Sequence, residues 1–206
     1  MVLAPHWREQ RGNVVILILD NYDSFVHNLA RYVREAGYAT RVVRNDAMSA
    51  KDLIELAPAA VIISPGPNAP SNAGQSLSLI DRLPDHIPLL GVCLGHQCLI
   101  EVFGGRIIRA REPLHGEASH IRHDGDGLFE GIDNPMTAGR YHSLVGELGA
   151  SAELSPCAWS PAGELMAVRR QSAPWFGVQF HPESVLTPQG RRLMANFLAL
   201  TNGGRA

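Results

Sequence analysis

Between residues 14 and 105, an apolar run typical of a β-strand is followed four times by a pattern typical of an α-helix. The first run, residues 14–19, is unbroken and rich in β-branched side chains, as expected for a parallel strand covered on both faces. Because parallel strands need crossover connections, usually helices, the alternation predicts a doubly wound, mostly parallel α/β sheet with flanking helices. Ligands of such sheets bind at the carboxyl ends of the strands.

The other three units follow the same pattern. Ser49 and Asp52 have the spacing of a capping box, so a short helix should begin there. The remaining strands are expected at residues 40–43, 59–64 and 88–92. Further helices are expected at residues 75–83 and after Cys93, and the helix of the first unit is expected at residues 25–36.

The pattern changes after Gly105. Between residues 115 and 180 the apolar segments are short and separated by turn sequences, which predicts a small antiparallel β section in the C-terminal half. A last helix should begin at Thr187, with Pro188 at its first position. We expect one domain over residues 14–201, an N-terminal extension at residues 1–13 and a flexible tail at residues 202–206.

The composition is that of an ordinary water-soluble protein, since 206 residues with 45% hydrophobic side chains can bury a full core. A net charge of −2 provides no basic face for nucleic acid and no polybasic segment for a membrane. Residues 1–13 lack the apolar run of a signal peptide, and no stretch approaches the ~20 apolar residues of a membrane span, so we expect a cytoplasmic protein. Three cysteines without a C-x-x-C spacing argue against disulfides or a zinc site.

Cys93 lies where a strand should turn sharply into a helix. Gly91 and Gly95 flank it at the G-x-nucleophile-x-G spacing, in which small residues let the backbone take a strained turn that lifts one side chain above the sheet edge. At a helix N-terminus, unpaired N–H groups and the helix dipole favour a thiolate and an oxyanion beside it. A structural cysteine remains the alternative, because a cysteine after an apolar strand is usually a small core residue.

A cysteine nucleophile needs a base, usually histidine, and an acceptor that orients the base. His181 and Glu183 end a strand-like run, and residues two apart in an extended chain point to the same side, so the Glu183 carboxylate can reach the imidazole. Pro182 between them stiffens the backbone. The alternative is an ordinary strand end with a satisfied histidine and a solvated glutamate.

The loop at residues 64–74 follows another predicted parallel strand and therefore lies at the same sheet edge as the cysteine. Pro65 and Pro67 stiffen this loop. Gly66 lets the backbone approach a ligand and present an N–H as a second oxyanion donor beside that of Leu94. Taken alone, the segment is also compatible with a plain turn.

Five segments occur in order along the chain: Asp20-Asn-Tyr-Asp-Ser-Phe25, Ser64-Pro-Gly-Pro67, Gly91-Val-Cys-Leu-Gly-His-Gln97, Arg140-Tyr-His-Ser-Leu144 and Gly177-Val-Gln-Phe-His-Pro-Glu-Ser184. They resemble the signatures of the class I, or triad, glutamine amidotransferases, over almost the whole chain. Within that family they are most similar to the small subunits of the synthases that make anthranilate or aminodeoxychorismate.

The resemblance implies a catalytic triad of Cys93, His181 and Glu183. Cys93 would attack the side-chain amide of L-glutamine, His181 would protonate the leaving ammonia, and water would then hydrolyse the γ-glutamyl thioester. No metal or organic cofactor is implied. The resemblance also implies an oxyanion hole made by the backbone of Gly66 and Leu94, and a glutamine-binding set of Gly66, Pro67, Asn68, Gln97, Ser143 and Leu144.

Two of the departures from the family pattern concern the expected active site and its mouth. Asn68 stands where many relatives have glycine, and asparagine tolerates a left-handed backbone better than most residues. Glu117 and Ala118 stand where a Lys-Thr pair is common, which reverses a charge in a region expected near the mouth of the active site. His120 and His123 have no third ligand in view and do not predict a metal site.

A partner is implied as well, because the sequence contains no second catalytic domain to use the ammonia. We expect the large subunit of anthranilate synthase, and hence tryptophan biosynthesis; aminodeoxychorismate synthase of folate biosynthesis, or service to both, is the alternative. A stand-alone cysteine hydrolase acting on γ-glutamyl peptides is a rival hypothesis. A non-catalytic regulatory subunit is disfavoured, because nucleophile, base and orienting acid are all present.

Overall fold

The computed structural model describes residues 14–150 and 153–202, so the expected extension at residues 1–13 and residues 203–206 of the expected tail lie outside the described range. The strands are β1 Val15–Asp20, β2 Ala39–Arg44, β3 Ala60–Ile63, β4 Leu89–Val92, β5 Arg106–His123, β6 Met136–Glu147, β7 Leu154–Trp159, β8 Leu165–Arg170 and β9 Trp175–Val178. The helices are α1 Val26–Glu35, α2 Ala50–Glu55, α3 Ser76–Arg82, α4 Leu94–Val102 and α5 Gly190–Ala199. Within the described residues, these strands form one sheet in the order β2-β1-β3-β4-β9-β8-β7-β5-β6. Over the same residues, no helix is long and apolar enough to cross a membrane.

The first half of the chain forms the parallel sheet that the strand–helix alternation predicted. β1 pairs in parallel with β2 and β3, and β4 pairs in parallel with β3. Ile16 and Ile18 belong to the core cluster built with α1 and α5, whereas Leu17 and Leu19 belong to the cluster built with α2, α3 and α4. Because both faces of β1 are buried, its sequence is apolar without alternation.

The C-terminal half is antiparallel as expected, but the boundary of this section differs from the prediction. β5 begins at Arg106 rather than near residue 115, and it pairs antiparallel with β6 and, at its end, with β7. β9 is antiparallel to β8 but parallel to β4, so residues 175–178 also extend the parallel sheet. The side-chain pattern did not reveal this direction, because parallel and antiparallel pairing differ in main-chain hydrogen bonds. As a result, the carboxyl ends of β4 and β9 lie side by side.

Two helix starts were expected from capping patterns, and one of them is wrong. Ser49 does cap α2, and its hydroxyl accepts a hydrogen bond from a backbone N–H of the first turn. The last helix begins at Gly190 and not at Thr187. The Thr187 hydroxyl instead donates to the carbonyl of His181 and accepts from the N–H of Gly139, so buried tertiary contacts engage the side chain expected at the helix start.

Candidate active site

Cys93 lies on a strained turn between β4 and α4. Its backbone has φ 51° and ψ −99°, a conformation that side-chain-bearing residues rarely adopt, and it directly precedes the first residue of α4. A Cβ on Gly91 would overlap the carbonyl oxygen of Gly95, and a Cβ on Gly95 would overlap that of Ile63. The two glycines therefore permit the close packing of turn, helix and neighbouring strand. The strained turn that the G-x-Cys-x-G spacing predicted depends on this packing.

The adjacent ends of β4 and β9 bring Cys93 close to a histidine. The N–H of Cys93 donates to the carbonyl of Val178 at 2.8 Å, which continues the pairing of the two strands into the turn. Further along, the N–H of His181 donates to the carbonyl of Gly139 on β6 at 3.0 Å. Nδ1 of His181 lies 2.6 Å from Oε1 of Glu183, and both side chains are buried. The contact expected from the two-residue spacing is therefore present.

The His181–Glu183 pair interacts electrostatically with Cys93. Burial by itself lowers the pKa of His181, but hydrogen bonding to Cys93 and Glu183 and the charges of both groups outweigh burial and raise this pKa well above its ordinary value. Nε2 of His181 is buried and makes no hydrogen bond of ordinary geometry to any residue that the structure describes. The contact with the Cys93 sulfur is thus looser than an ideal hydrogen bond. Nε2 remains available for proton exchange.

Two aromatic rings flank the imidazole of His181. The ring of Tyr141 lies 4.8 Å away, centroid to centroid, at an interplanar angle of 62°, and that of Phe25 lies 6.1 Å away at 76°. Tyr141 also contacts the ring of His115 at 5.7 Å, so the segment that leads into Glu117 does lie beside the site. Sequence reasoning assigned no role to the two rings, although both lie within the five motif segments.

Asn21 holds the Gly66 loop against α4. The N–H of Asn21 donates to Oγ of Ser64, its side-chain nitrogen donates to the Ser64 carbonyl, and its side-chain oxygen accepts two more hydrogen bonds. A Cβ on Gly66 would lie 2.6 Å from Cβ of Asn21 and 2.8 Å from Cδ2 of Leu94. Glycine is therefore required at position 66, and the two expected oxyanion donors, Gly66 and Leu94, are neighbours in space. Sequence reasoning missed Asn21, whose signal was its place in the first motif segment.

The expected glutamine-binding residues occur in two groups. Gln97 is buried in the first turn of α4, and its Nε2 donates to the carbonyl of Leu144 at 3.2 Å, beside the exposed Ser143. The other group is the Gly66 loop, where Pro67 and Asn68 are exposed. Asn68 has φ 68°, the left-handed conformation that asparagine tolerates in place of glycine.

The remaining thiols and the histidine pair lie outside this site. Burial raises the pKa of Cys157 to about 12 and raises that of Cys98 well above its ordinary value, so both behave as inert core thiols. His123 is buried, with Nε2 2.9 Å from the carbonyl of Asp133, whereas His120 is exposed. No group of three metal-ligating side chains occurs within residues 14–150 and 153–202.

Fold and site together define an α/β protein that presents a cysteine on a strained strand–helix turn at the carboxyl edge of its sheet. The family model described as "Glutamine amidotransferase class-I" matches residues 17–200, and the chain belongs to this family. A solved glutamine amidotransferase from Thermotoga maritima has the same fold, with a TM-score of 0.74 over 94% of this chain and 98% of that chain at 15% identity.

Curated relatives cover nearly the whole chain. Aminodeoxychorismate synthase component 2 of Escherichia coli K12 is 48% identical over 185 residues, which are 89% of this chain and 99% of that protein. Anthranilate synthase component 2 of Pseudomonas aeruginosa is 46% identical over 197 residues, covering 93% and 98%. Aminodeoxychorismate/anthranilate synthase component 2 of Bacillus subtilis is 45% identical over 188 residues, covering 89% and 95%.

Proposed function

We propose that the protein is the glutamine amidotransferase component of a chorismate-using synthase and that Cys93 is its nucleophile. One observation carries the proposal: a buried His181–Glu183 pair, joined at 2.6 Å, is coupled electrostatically to a cysteine on a strained turn. This arrangement matches a nucleophile with a base and an orienting acid. The names of the relatives support the same assignment, because they are component 2 of anthranilate or aminodeoxychorismate synthases.

In the first half-reaction, the Cys93 sulfur attacks the side-chain amide carbon of L-glutamine. Oε1 of Glu183 accepts the hydrogen on Nδ1 of His181 and stabilises the imidazolium, so Nε2 holds the proton that the thiol released. That proton passes to the amide nitrogen as the tetrahedral intermediate collapses, and ammonia leaves. A γ-glutamyl thioester on Cys93 remains.

In the second half-reaction, water attacks the thioester while Nε2 of the now neutral His181 takes a proton from it. Collapse of the new tetrahedral intermediate releases L-glutamate and returns the thiolate together with protonated His181. Neither half-reaction requires a metal or organic cofactor. Both require a fixed imidazole, and the rings of Tyr141 and Phe25 restrict its motion.

The backbone N–H groups of Gly66 and Leu94 are the proposed oxyanion donors. Leu94 is the first residue of α4, where N–H groups have no partner within the helix. Neither N–H donates a hydrogen bond to another residue within the described part of the chain, so both are available to a ligand. One such donor typically contributes about 10²- to 10³-fold to kcat.

The glutamine main-chain groups would be held beside this site. Gln97 uses amide hydrogens toward Leu144 and Gln179, which leaves its oxygen as the acceptor for the α-ammonium group. We propose that the backbone at Ser143 and Leu144 holds the α-carboxylate and that the loop of Gly66, Pro67 and Asn68 covers the side-chain amide. All of these residues lie within residues 14–201, which we propose to be one domain.

We propose anthranilate synthase as the receiver of the ammonia and aminodeoxychorismate synthase as the alternative, since relatives of both names are 45–48% identical. The partner would dock at the site mouth near His115 and Glu117. Affinity purification of the tagged chain, followed by identification of the bound synthase and of its product from chorismate, decides between the two. A chain that turns over glutamine fully without any partner would instead be a stand-alone hydrolase.

Triad variants test the chemistry. Cys93→Ala should abolish glutamine-dependent product formation in the complex, while synthesis from added ammonium salt persists because the partner is untouched. His181→Ala should come close to the same loss. Glu183→Gln keeps the shape but removes the charge that stabilises the imidazolium, so kcat should fall by about 10²- to 10⁴-fold.

The control for these variants is the ammonium-dependent rate, which must equal that of the wild-type complex. Stoichiometric labelling of Cys93 by diazo-oxo-norleucine is expected and would exclude a regulatory subunit. If Glu183→Gln were as active as wild type while His181→Ala was inactive, Glu183 would not be the orienting acid.

A further inference from the structure

Gln179 contacts the sulfur of Cys93, although none of the roles described above involves that contact. It follows β9 directly and is completely buried. Its N–H donates to the carbonyl of Met166 at 2.8 Å, which fixes its backbone. Its Nε2 lies 3.6 Å from Sγ of Cys93, within the range of an N–H···S hydrogen bond. What this contact does depends on which end of the amide faces the sulfur.

The neighbouring hydrogen bonds determine the orientation of the amide. A backbone carbonyl only accepts, so the group of Gln97 that lies 3.2 Å from the Leu144 oxygen is the amide nitrogen. The same nitrogen lies 3.2 Å from the side-chain oxygen of Gln179. Because the oxygen of Gln179 faces this donor, the nitrogen of Gln179 faces Cys93.

A buried ion pair holds the Leu144 carbonyl in place. Nη2 of Arg140 lies 2.8 Å from Oε2 of Glu164, and both side chains are almost fully buried. Nε of Arg140 donates to Nε2 of His142 at 3.0 Å, and since a guanidinium only donates, Nε2 of His142 must be unprotonated. The hydrogen of His142 is then on Nδ1, which donates to the Leu144 carbonyl at 3.0 Å.

The electrostatics of His142 agree with this single tautomer. Burial, together with the positive charge of Arg140, lowers the pKa of His142 to about 3. His142 is therefore neutral across the physiological range, with one donor and one acceptor. Arg140 therefore donates to His142, and His142 donates to the Leu144 carbonyl. The same carbonyl accepts a hydrogen bond from Gln97 and so orients its amide.

We propose that Gln179 is a catalytic residue that donates a hydrogen bond to the Cys93 sulfur and stabilises its thiolate form. His142 and Arg140 are positioning residues, which orient this donor through Leu144 and Gln97. No bond to Gln179 forms or breaks. The thiol proton goes to Nε2 of His181, and Gln179 stabilises the negative charge left on sulfur. The charge disappears when the thioester forms, so Gln179 acts before acylation and again when the thiolate is regenerated.

The inference rests on the proposed role of Cys93 as nucleophile, but its test needs no glutamine. The readout is the rate of Cys93 alkylation by iodoacetamide as a function of pH, followed by peptide mass spectrometry. Only the thiolate reacts, so the midpoint of this profile reports its stability. Among the described residues, His181 interacts with the sulfur and is itself bonded to Glu183, and both are kept in every variant.

Gln179→Met has nearly the same length but no donor. We expect its alkylation midpoint to lie about one pH unit or more above that of wild type, because a hydrogen bond to the charged form is lost. Gln179→Glu should also raise the midpoint, since an oxygen replaces the donor nitrogen and any charge on the new carboxyl group has the same sign as that of the thiolate. Gln171→Met, at an exposed glutamine after β8, is the matched control and should follow wild type.

His142→Leu tests the positioning role. It should raise the midpoint by less than Gln179→Met does, and it should have no further effect in a Gln179→Met background, because both changes act on one hydrogen bond. A merely structural role would lower the melting temperature without moving the midpoint. Circular dichroism melts of all variants separate these two effects.

An unchanged midpoint in folded Gln179→Met and Gln179→Glu would overturn the role of Gln179, yet it would leave Cys93 as the proposed nucleophile. A His142→Leu shift that persists in full in the Gln179→Met background would overturn the positioning role. Failure of iodoacetamide to alkylate Cys93 of the wild-type protein would count against the proposed function itself.

Discussion

His96 should make the folded protein sensitive to acid. It lies on α4 and is fully buried, and neither of its ring nitrogens makes a hydrogen bond of ordinary geometry within the described residues. Burial lowers the pKa of His96 to about 3, and the neighbouring His142 also lowers it, while contact with the Gly177 backbone offsets only part of this effect. In the folded state the imidazole is therefore neutral.

The sign of the effect follows from proton binding. In the unfolded chain a histidine titrates near its ordinary value of 6.5, so below that pH the unfolded state binds a proton that the folded state does not. The stability associated with the neutral imidazole is present above pH 6.5 and is lost as the pH falls from there toward 3. Between pH 7.5 and pH 5, one such histidine lowers the free energy of unfolding by about 2 kcal/mol.

The assay is urea unfolding of the isolated chain at several values between pH 7.5 and pH 5, with the variant His96→Leu. Leucine has a similar volume, so effects of packing are nearly the same at every pH and cancel when each protein is compared with itself. We expect His96→Leu to lose about 2 kcal/mol less than wild type across this interval. His120→Leu removes an exposed histidine and is the matched control, which should follow wild type.

The result that would refute this reasoning is an equal loss of stability in wild type and His96→Leu over the interval. Such a result would mean that His96 gains a proton in the folded protein despite its burial. Acid sensitivity that remains in His96→Leu is expected, because the pKa of His142 is also lowered to about 3.

Two further perturbations test features of the core. Arg140→Met leaves the carboxylate of Glu164 buried without its cation and should reduce the free energy of unfolding by about 3–5 kcal/mol. Adding Glu164→Leu should restore most of this loss. Urea unfolding of both variants checks this, and a double variant no more stable than the single one contradicts it. Gly95→Ala places a Cβ onto the carbonyl oxygen of Ile63 and should lower the melting temperature strongly. Gly163→Ala, where φ is +78° but nothing lies within 4 Å of the new Cβ, should lower it far less. Equal melting temperatures of the two variants would refute the steric argument.

Local sequence patterns predicted the parallel half of the fold well. The apolar run ending at residue 19 became a strand buried on both faces, and Ser49 capped α2. These features depend on residues within a few positions of each other, so their spacing and capping patterns can be recognised in the sequence. The start of α5 was misplaced because Thr187, a good helix-start residue by local criteria, makes its hydrogen bonds to His181 and Gly139 instead.

For the candidate site, spacing was informative wherever the interacting residues are close in sequence. The two-residue separation of His181 and Glu183 indicated their contact, and Gly91 and Gly95 indicated the strained turn at Cys93. The aromatic enclosure by Tyr141 could not be derived in this way. Although it belongs to a motif segment, nothing in its local sequence states that its ring lies against that of His181.

The sequence by itself determined which segments become strands and helices in the first half of the chain and which cysteine lies at the sharp turn, because periodicity, caps and glycine spacing are local properties. Only the tertiary structure decided that β9 runs parallel to β4, which places its carboxyl end beside Cys93. It alone brought Gln179 to the sulfur across 86 positions of sequence and oriented its amide through a buried network that ends at Arg140 and Glu164. Contacts between such distant residues depend on how the strands are ordered in the sheet, and a side-chain pattern within one segment carries no record of that order.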